Sequence, residues 1–187
     1  MKRKSPQRHA ENQTNAKRTA LPATVYQRFE QTPIGLIGIE TDGDAITHVY
    51  FGGGLPVGRR RDTSEKGPEK AKRLLNKAFR QLAEYFAGRR HDFDLPLAPQ
   101  GTPFMQSVWA ELCKVPFGKT ATYKQIAERV KSPKAFRAVG LANNRNPIPI
   151  FIPCHRIVGS DGSLVGYAGG LDMKRQLLDS EAAFAHR

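Results

Sequence analysis

Residues 122–143 read TYKQIAERVKSPKAFRAVGLAN, and this run decides the fold of the second half of the chain. Thr122 with Gln125 three residues later fits a capping box, in which the hydroxyl accepts from the third backbone N–H while the glutamine reaches back. A helix is therefore predicted through about Val130, with Ile126, Ala127 and Val130 on its apolar face. Ser132-Pro133 predicts a second helix at once, running through Ala135, Arg137, Val139 and Leu141 to Asn143. Two short helices joined by a tight turn, the second rich in small residues, form a candidate helix-turn-helix. The pattern is not unique to DNA binders, because many helical hairpins never touch nucleic acid.

Upstream, Thr102 can cap a helix with Pro103 at its first position and Phe104, Val108 and Leu112 facing inward, ended by Pro116-Phe117-Gly118. The Pro- and Gly-containing connector 96–101 reads as a domain boundary. Before it, Phe93 and Leu95 alternate with Asp92 and Asp94 and predict a strand. Ala71, Leu74, Leu75, Ala78, Phe79, Leu82, Tyr85 and Phe86 form one face of a helix over 69–86, with basic residues on much of the rest. Val25–Phe29, Ile34–Ile39 and Ala45–Phe51 are β-prone runs separated by turn signals, as in an antiparallel meander. Between meander and helix lies a loop containing Arg59-Arg60-Arg61. Residues 1–20 carry six basic side chains and one acidic one, with little to bury, and read as a disordered basic tail.

The whole chain has 187 residues, 30 Lys and Arg against 17 Asp and Glu, and a formal net charge of +13. That excess points to a polyanionic partner, nucleic acid or an anionic membrane surface. No apolar run approaches the roughly 20 residues that span a bilayer, and the polar N-terminus lacks the apolar core of a signal peptide. The expectation is a soluble, intracellular protein. Two cysteines, Cys113 and Cys154, exclude a disulfide framework and a Cys-rich zinc site. Each is either a small buried apolar residue or a reactive thiol.

Cys154 lies in Asn146-Pro147-Ile148-Pro149-Ile150-Phe151-Ile152-Pro153-Cys154-His155-Arg156-Ile157-Val158. A thiol is mostly protonated at neutral pH, and an adjacent imidazole can relay its proton and produce thiolate. The imidazole in turn needs a partner to hold its tautomer, normally a carboxylate. Glu181 is the candidate on the C-terminal helix, with Asp172 and Asp179 as rivals. On these grounds alone Cys154 is equally a nucleophile or a buried thiol.

The segment 153–158, preceded by Asn146-Pro147-Ile148-Pro149-Ile150, resembles the active-site signature of the O6-alkylguanine-DNA alkyltransferases, also called methylated-DNA–protein-cysteine methyltransferases. The resemblance extends through Thr122-Tyr123-Lys124-Gln125-Ile126-Ala127, Arg137-Ala138-Val139-Gly140 and Gly166-Tyr167-Ala168-Gly169-Gly170-Leu171, and covers residues 102–184. The first half is similar only in general plan. The resemblance implies an α+β fold: a small N-terminal antiparallel sheet plus helix (ribonuclease H-like), then a mostly helical C-terminal domain with a helix-turn-helix of winged-helix type. The expected units are the tail 1–20, an N-terminal α/β domain 21–98, and a DNA-binding and active-site domain 99–187.

What the resemblance implies for function is direct-reversal repair, with a single, irreversible transfer of the alkyl group from flipped-out O6-alkylguanine, and in some relatives O4-alkylthymine, to Cys154. His155 is then a water-mediated base, Glu181 its orienting carboxylate and Asn146 the residue that orients the site. Tyr123 donates a proton to the leaving base, and Arg137 is the finger that fills the space the flipped nucleotide leaves. Ala135, Ala138 and Gly140 let the second helix approach DNA, though periodicity alone equally fits tight helix packing. Lys124, Ser132 and Ser160 fall at backbone-contacting positions. Pro149, Val158, Tyr167, Ala168 and Gly169 form the base pocket; Ala168 stands where some relatives have serine. Cys113 matches no functional position and is expected in the core.

Some relatives hold zinc in the N-terminal domain through cysteines and histidines. That half here has no cysteine and only His9, His48 and His91, so no metal is expected, and the chemistry requires no cofactor. The expected partner is double-stranded DNA carrying O6-alkylguanine, with no membrane and no obligate protein partner. The expected state is a monomer in the cytoplasm at the nucleoid, or in the nucleus of a eukaryote. Two rivals are an alkyltransferase-like DNA-binding protein without turnover and a helix-turn-helix regulator. The former commonly has tryptophan in place of the nucleophile, against the Cys154 present here.

Overall fold

The structure, a computed structural model, describes residues 24–52, 63 and 66–185. The predicted tail 1–20 and Arg59-Arg60-Arg61 lie outside the described residues. Strands β1 (Tyr26–Thr32), β2 (Gly35–Thr41) and β3 (Ile46–Phe51) form the expected antiparallel meander, in the order β1-β2-β3. Thr32 pairs with Gly35 across the first turn, and Ile39 faces Val49 across the second pair. Gly35 takes a φ of 104°, a value that favours glycine.

Helix α1 (Glu69–Phe86) lays the predicted face on this sheet. Its Leu75, Ala78 and Leu82 are buried in one continuous apolar core with Ile37 and Ile39. Some of its basic residues pair with nearby carboxylates, Lys72 with Glu69 at 3.0 Å and Lys77 with Asp94 at 2.8 Å.

The strand predicted around Phe93 and Leu95 does not form. Backbone groups there are satisfied by a side chain instead: Gln81 Nε2 donates to the Asp94 carbonyl at 3.1 Å, and Asp94 N donates to Gln81 Oε1 at 2.9 Å. Pro96 next in line has no N–H to give a ladder. The segment only brushes the sheet at Leu97, which forms an isolated bridge with Ile46.

Helix α2 (Pro103–Leu112) begins as predicted, with the Thr102 hydroxyl accepting from Met105 N. Trp109 is 2 % exposed and its indole N–H donates to the Ala142 carbonyl at 2.8 Å. Helix α3 (Tyr123–Arg129) carries the full capping box between Thr122 and Gln125.

Helix α4 (Phe136–Asn144) starts later than predicted. Lys131 has a φ of 57°, Ser132 N donates back to Ala127 O, and Ala135 N donates to Ser132 O. Ser132-Pro133 is therefore used in a turn, and the first helical bond is Val139 N to Ala135 O. The pair α3–α4 is the predicted helix-turn-helix. Strands β4 (Ala121–Thr122) and β5 (Ile157–Val158) pair in parallel, which fixes the start of α3 beside the chain just after Cys154. Helix α5 (Leu171–Ala185) closes the fold. Among the described residues no helix is long and apolar enough to cross a membrane.

The α+β class and two-part plan follow the expectation, and a further difference lies at Cys113. It is exposed rather than in the core. Trp109 fills that region, and Cys113 borders a hollow of about 460 Å3 with Leu97, Gln106, Trp109 and Ile152. Replacement of Gln81 by Ala leaves the Asp94 backbone unsatisfied, so the folding free energy is expected to fall by about 1–3 kcal/mol. Urea denaturation of the Gln81→Ala variant measures it.

Candidate active site

Asn146 sets the turn that delivers the reactive segment. Its Oδ1 accepts from Ile148 N at 3.0 Å and its Nδ2 donates to Ile152 O at 2.8 Å. The same turn is held to the sheet by Val49 N donating to Pro147 O at 2.9 Å. Ile150 within it has a φ of 73° and is 1 % exposed. A β-branched residue in that region is strained by about 1–3 kcal/mol and persists only where its surroundings impose it.

A 3-10 turn, Cys154–Arg156, follows. The Cys154 thiol is buried, which pushes it up to about 11; a hydrogen bond from Asn146 and the charge of Lys174 oppose that rise. Asn146 thus holds the turn and also bears on the thiol. His155 is 0 % exposed, and burial lowers it below its ordinary 6.5 against the opposing pull of Glu181.

His155 Nε2 lies 2.8 Å from Glu181 Oε1. Glu181 is held down to about 2: burial pushes it up, but its bonds and charge interactions with His155 and Arg156 outweigh that. An ionised carboxylate only accepts, so Nε2 carries the proton and Nδ1 keeps a lone pair. That Nδ1 is buried with no hydrogen-bond partner among the described residues. The arrangement is a neutral, oriented base beside a protonated thiol.

Glu181 is the carboxylate chosen, and neither Asp172 nor Asp179 meets the histidine. Arg156 donates to it through Nε at 2.9 Å and Nη2 at 3.0 Å, and through Nη1 to Val115 O at 2.7 Å. Gly118 N adds a bond at 3.1 Å and the Tyr85 hydroxyl one at 2.7 Å. Gly118 has a φ of 68°, and a Cβ there would stand 2.5 Å from Ala185 Cβ, so only glycine brings its N–H this close.

Sequence reasoning gave no role to Arg156, Lys174 or Tyr85. Lys174 is 0 % exposed; its Nζ donates to Ile157 O at 2.6 Å and Val165 O at 2.9 Å. Burial lowers it from 10.5 to about 8, opposed by Cys154. Its signal was spacing: Lys174, Leu177 and Glu181 are the buried residues of α5 and repeat at helical intervals on one face.

Tyr123 opens α3 at the edge of the site. Burial raises its phenol, and Cys154 adds to the rise. Its hydroxyl donates to Val165 O at 3.0 Å, so that carbonyl receives Tyr123 and Lys174 together. A cleft of about 240 Å3 opens here, lined by Tyr123, Phe136, Gly140, Asn144, Val165 and Gly166.

Of the expected pocket residues, Pro149, Val158 and Tyr167 are buried while Ala168 is exposed. Tyr167 stands edge-on to His155 at 6.4 Å between ring centroids. Gly169 packs against Met173 and Phe51, and neither it nor Ala168 lines the cleft.

Arg137 is exposed at the start of α4, 5.9 Å from the Phe136 ring centroid. Ala138 is exposed, and a Cβ on Gly140 would meet only Tyr123, at 3.9 Å. Helix packing therefore does not dictate these small residues. Lys124 and Ser160 are exposed; Ser132 and Ala135 are half-buried. No cluster of His, Cys, Asp and Glu suited to a metal occurs among the described residues.

Residues 25–99 match the family model described as 6-O-methylguanine DNA methyltransferase, ribonuclease-like domain, and residues 103–183 match that of its DNA binding domain. The methylated-DNA–protein-cysteine methyltransferase of Methanosarcina barkeri is 47 % identical over 157 residues, covering 84 % of this chain and 97 % of that one. The constitutive one of Bacillus subtilis is 43 % identical, covering 83 % and 94 %. The crystal structure of Mycobacterium tuberculosis OGT in complex with DNA is similar with a TM-score of 0.75 at 37 % identity, covering 85 % of this chain and 94 % of that one.

Lys174 replaced by Met removes a cation from the vicinity of Cys154. Carbamidomethylation of Cys154 by iodoacetamide at pH 7.5 is expected to slow roughly tenfold, because the thiolate fraction falls when the cation is lost. Cys113 in the same sample should react unchanged.

Proposed function

The chain belongs to the 6-O-methylguanine DNA methyltransferase family, and from that premise we propose that Cys154 is the residue that takes the alkyl group from O6-alkylguanine in duplex DNA. Direct-reversal repair by alkyl transfer to a protein cysteine is the activity of the family, and DNA is its partner. One observation carries the assignment of the cysteine. Cys154 is the buried thiol beside a histidine whose Nε2 is fixed on Glu181 while Nδ1 is left without a partner.

The reaction follows from these groups. His155 Nδ1 takes the thiol proton through a water, and the sulfur attacks the alkyl carbon. An S–C bond forms, the C–O6 bond breaks, and its electron pair passes into the purine. The Tyr123 phenol protonates the departing base, which lowers the barrier by meeting charge as it develops. Solvent then returns a proton to Tyr123 and takes one from His155. To do this Tyr123 exchanges its bond to Val165 O for one to the bound nucleotide, while Lys174 keeps hold of that carbonyl. The thioether has no ready hydrolysis route, so each chain acts once, without a cofactor.

Arg137, exposed beside the cleft, is placed to enter the duplex and hold the base out. Ala135, Ala138 and Gly140 leave room for the DNA surface, with Lys124, Ser132 and Ser160 at the backbone. Pro149, Val158 and Tyr167 wall the base site, with Ala168 and Gly169 in the closing loop. The protein acts as a monomer on double-stranded DNA, in the cytoplasm at the nucleoid or in a eukaryotic nucleus.

Incubation with a duplex carrying radiolabelled O6-methylguanine should move label to the protein, at no more than one per chain. Cys154→Ser should abolish it and Cys113→Ser leave it unchanged; transfer that survives Cys154→Ser refutes the assignment. Because His155 lies below 6.5, it is neutral at pH 7, and the rate should fall only on acidification below that range. Arg137→Ala should slow transfer from the duplex by about 10- to 100-fold, on the scale of a few kcal/mol for extruding a base, and leave transfer from the free alkylated base unchanged.

A further inference from the structure

Glu181 is reached by a donor from outside the C-terminal half. The Tyr85 hydroxyl, on α1, donates to Oε1 at 2.7 Å, across 96 positions of sequence. Oε1 is also the oxygen that meets His155 Nε2 at 2.8 Å. Tyr85 is 3 % exposed and Glu181 1 %, so water does not compete for either group. The Tyr85 ring is fixed from several sides, with centroids 5.4 Å from Phe86, 5.4 Å from Phe93 and 5.9 Å from Phe117. The hydroxyl therefore has one position, set by α1 and Phe93 from the N-terminal half and by Phe117 from the C-terminal half.

We propose that Tyr85 is a positioning residue for alkyl transfer: its hydroxyl fixes the Glu181 oxygen that orients His155, and so makes the N-terminal half part of the reaction machinery. The proposal rests on Cys154 being the acceptor and His155 its base. The physical reasoning is direct. A carboxylate oxygen gives less negative charge to each donor as more donors share it, and Oε1 also accepts from Arg156 through Nη2 at 3.0 Å and Nε at 3.2 Å. Tyr85 thus restrains the pull of Glu181 on His155, which keeps the imidazole neutral and Nδ1 free to accept. It also fixes the plane of the carboxylate against rotation about the Arg156 fork. Burial and the neighbouring Glu181 charge both raise the Tyr85 phenol, so it remains a donor throughout the working range.

The charged and titratable groups around the pair are Arg156 and Cys154 on the 3-10 turn, Lys174 on α5, and Tyr167 beside the imidazole ring. Of these only Arg156 also donates to Oε1, at 3.0 Å, and the Tyr85 hydroxyl makes the shorter bond, at 2.7 Å.

Tyr85→Phe removes one oxygen and keeps the ring packing. The rate of methyl transfer from a duplex with O6-methylguanine, followed against pH, should show the acid limb moved to higher pH, because Glu181 now favours protonated His155. At neutral pH the rate should fall about 3- to 30-fold, the scale of a lost buried hydrogen bond to a charged group. The free alkylated base should show the same loss, since DNA binding is not involved. In a Glu181→Gln background, Tyr85→Phe should add no further shift, the non-additivity expected of residues acting through one another. Where that background transfers too slowly, the rate of Cys154 carbamidomethylation by iodoacetamide against pH makes the same comparison. An acid limb that stays in place or moves to lower pH, or an equal shift with and without Glu181, overturns the proposal and assigns Tyr85 to packing alone. Failure of the wild-type protein to acquire label on Cys154 would instead refute the reading beneath it.

Discussion

The buried carboxylate of Glu181 is the constraint on which the site depends. Removing a carboxylate from water costs several kcal/mol, recovered only with good geometry and fully used lone pairs. The chain meets that demand from three places: Arg156 and His155 on the 3-10 turn, Gly118 after α2, and Tyr85 on α1. These three stretches are far apart in sequence, so satisfying one charge fixes how they meet. The orientation of His155 is a consequence. Removal of a single partner would leave a buried charge short of donors, which is why such a network is satisfied as a whole or not at all.

That charge touches the reacting pair only through His155 Nε2, at 2.8 Å. Arg156 neutralises Glu181 through a fork, while Cys154 and His155 are both uncharged at rest because burial opposes each ionised form. A thiol held in this way is a poor target for adventitious electrophiles. In the proposed reaction it becomes a nucleophile when a substrate occupies the site and the proton has somewhere to go. The Val165 carbonyl is a second restraint, held by Tyr123 and Lys174 together. One of these bonds must be exchanged for substrate and the other need not be. The loop is therefore anchored on one side and releasable on the other.

Much of this was legible in the sequence where the determinants are local. The capping box at Thr122 and Gln125, the proline at the start of α2, and the apolar face of α1 are short-range patterns, and each appears as written. The strand expected near Phe93 had the right alternation, but its backbone was claimed by Gln81, a helix residue that no periodicity links to it. Ser132-Pro133 fits a helix start and a turn equally well, and the left-handed Lys131 decides for the turn. Cys113, matching no functional position of the family, was expected in the core, yet Trp109 fills that core and Cys113 is exposed. Lys174 and Arg156 are charged residues in buried positions, and sequence patterns place charges outside by default. Tyr85 was read as one more apolar member of a helical face; its hydroxyl finds Glu181 only in three dimensions.

Intact-mass analysis with peptide mapping, after reaction with a duplex containing O6-methylguanine, tests the central claim most directly. One added methyl per chain, confined to the peptide that carries Cys154 and absent from that carrying Cys113, is the predicted result. A methyl on Cys113 or any other residue, or an unmodified protein beside repaired DNA, would contradict it.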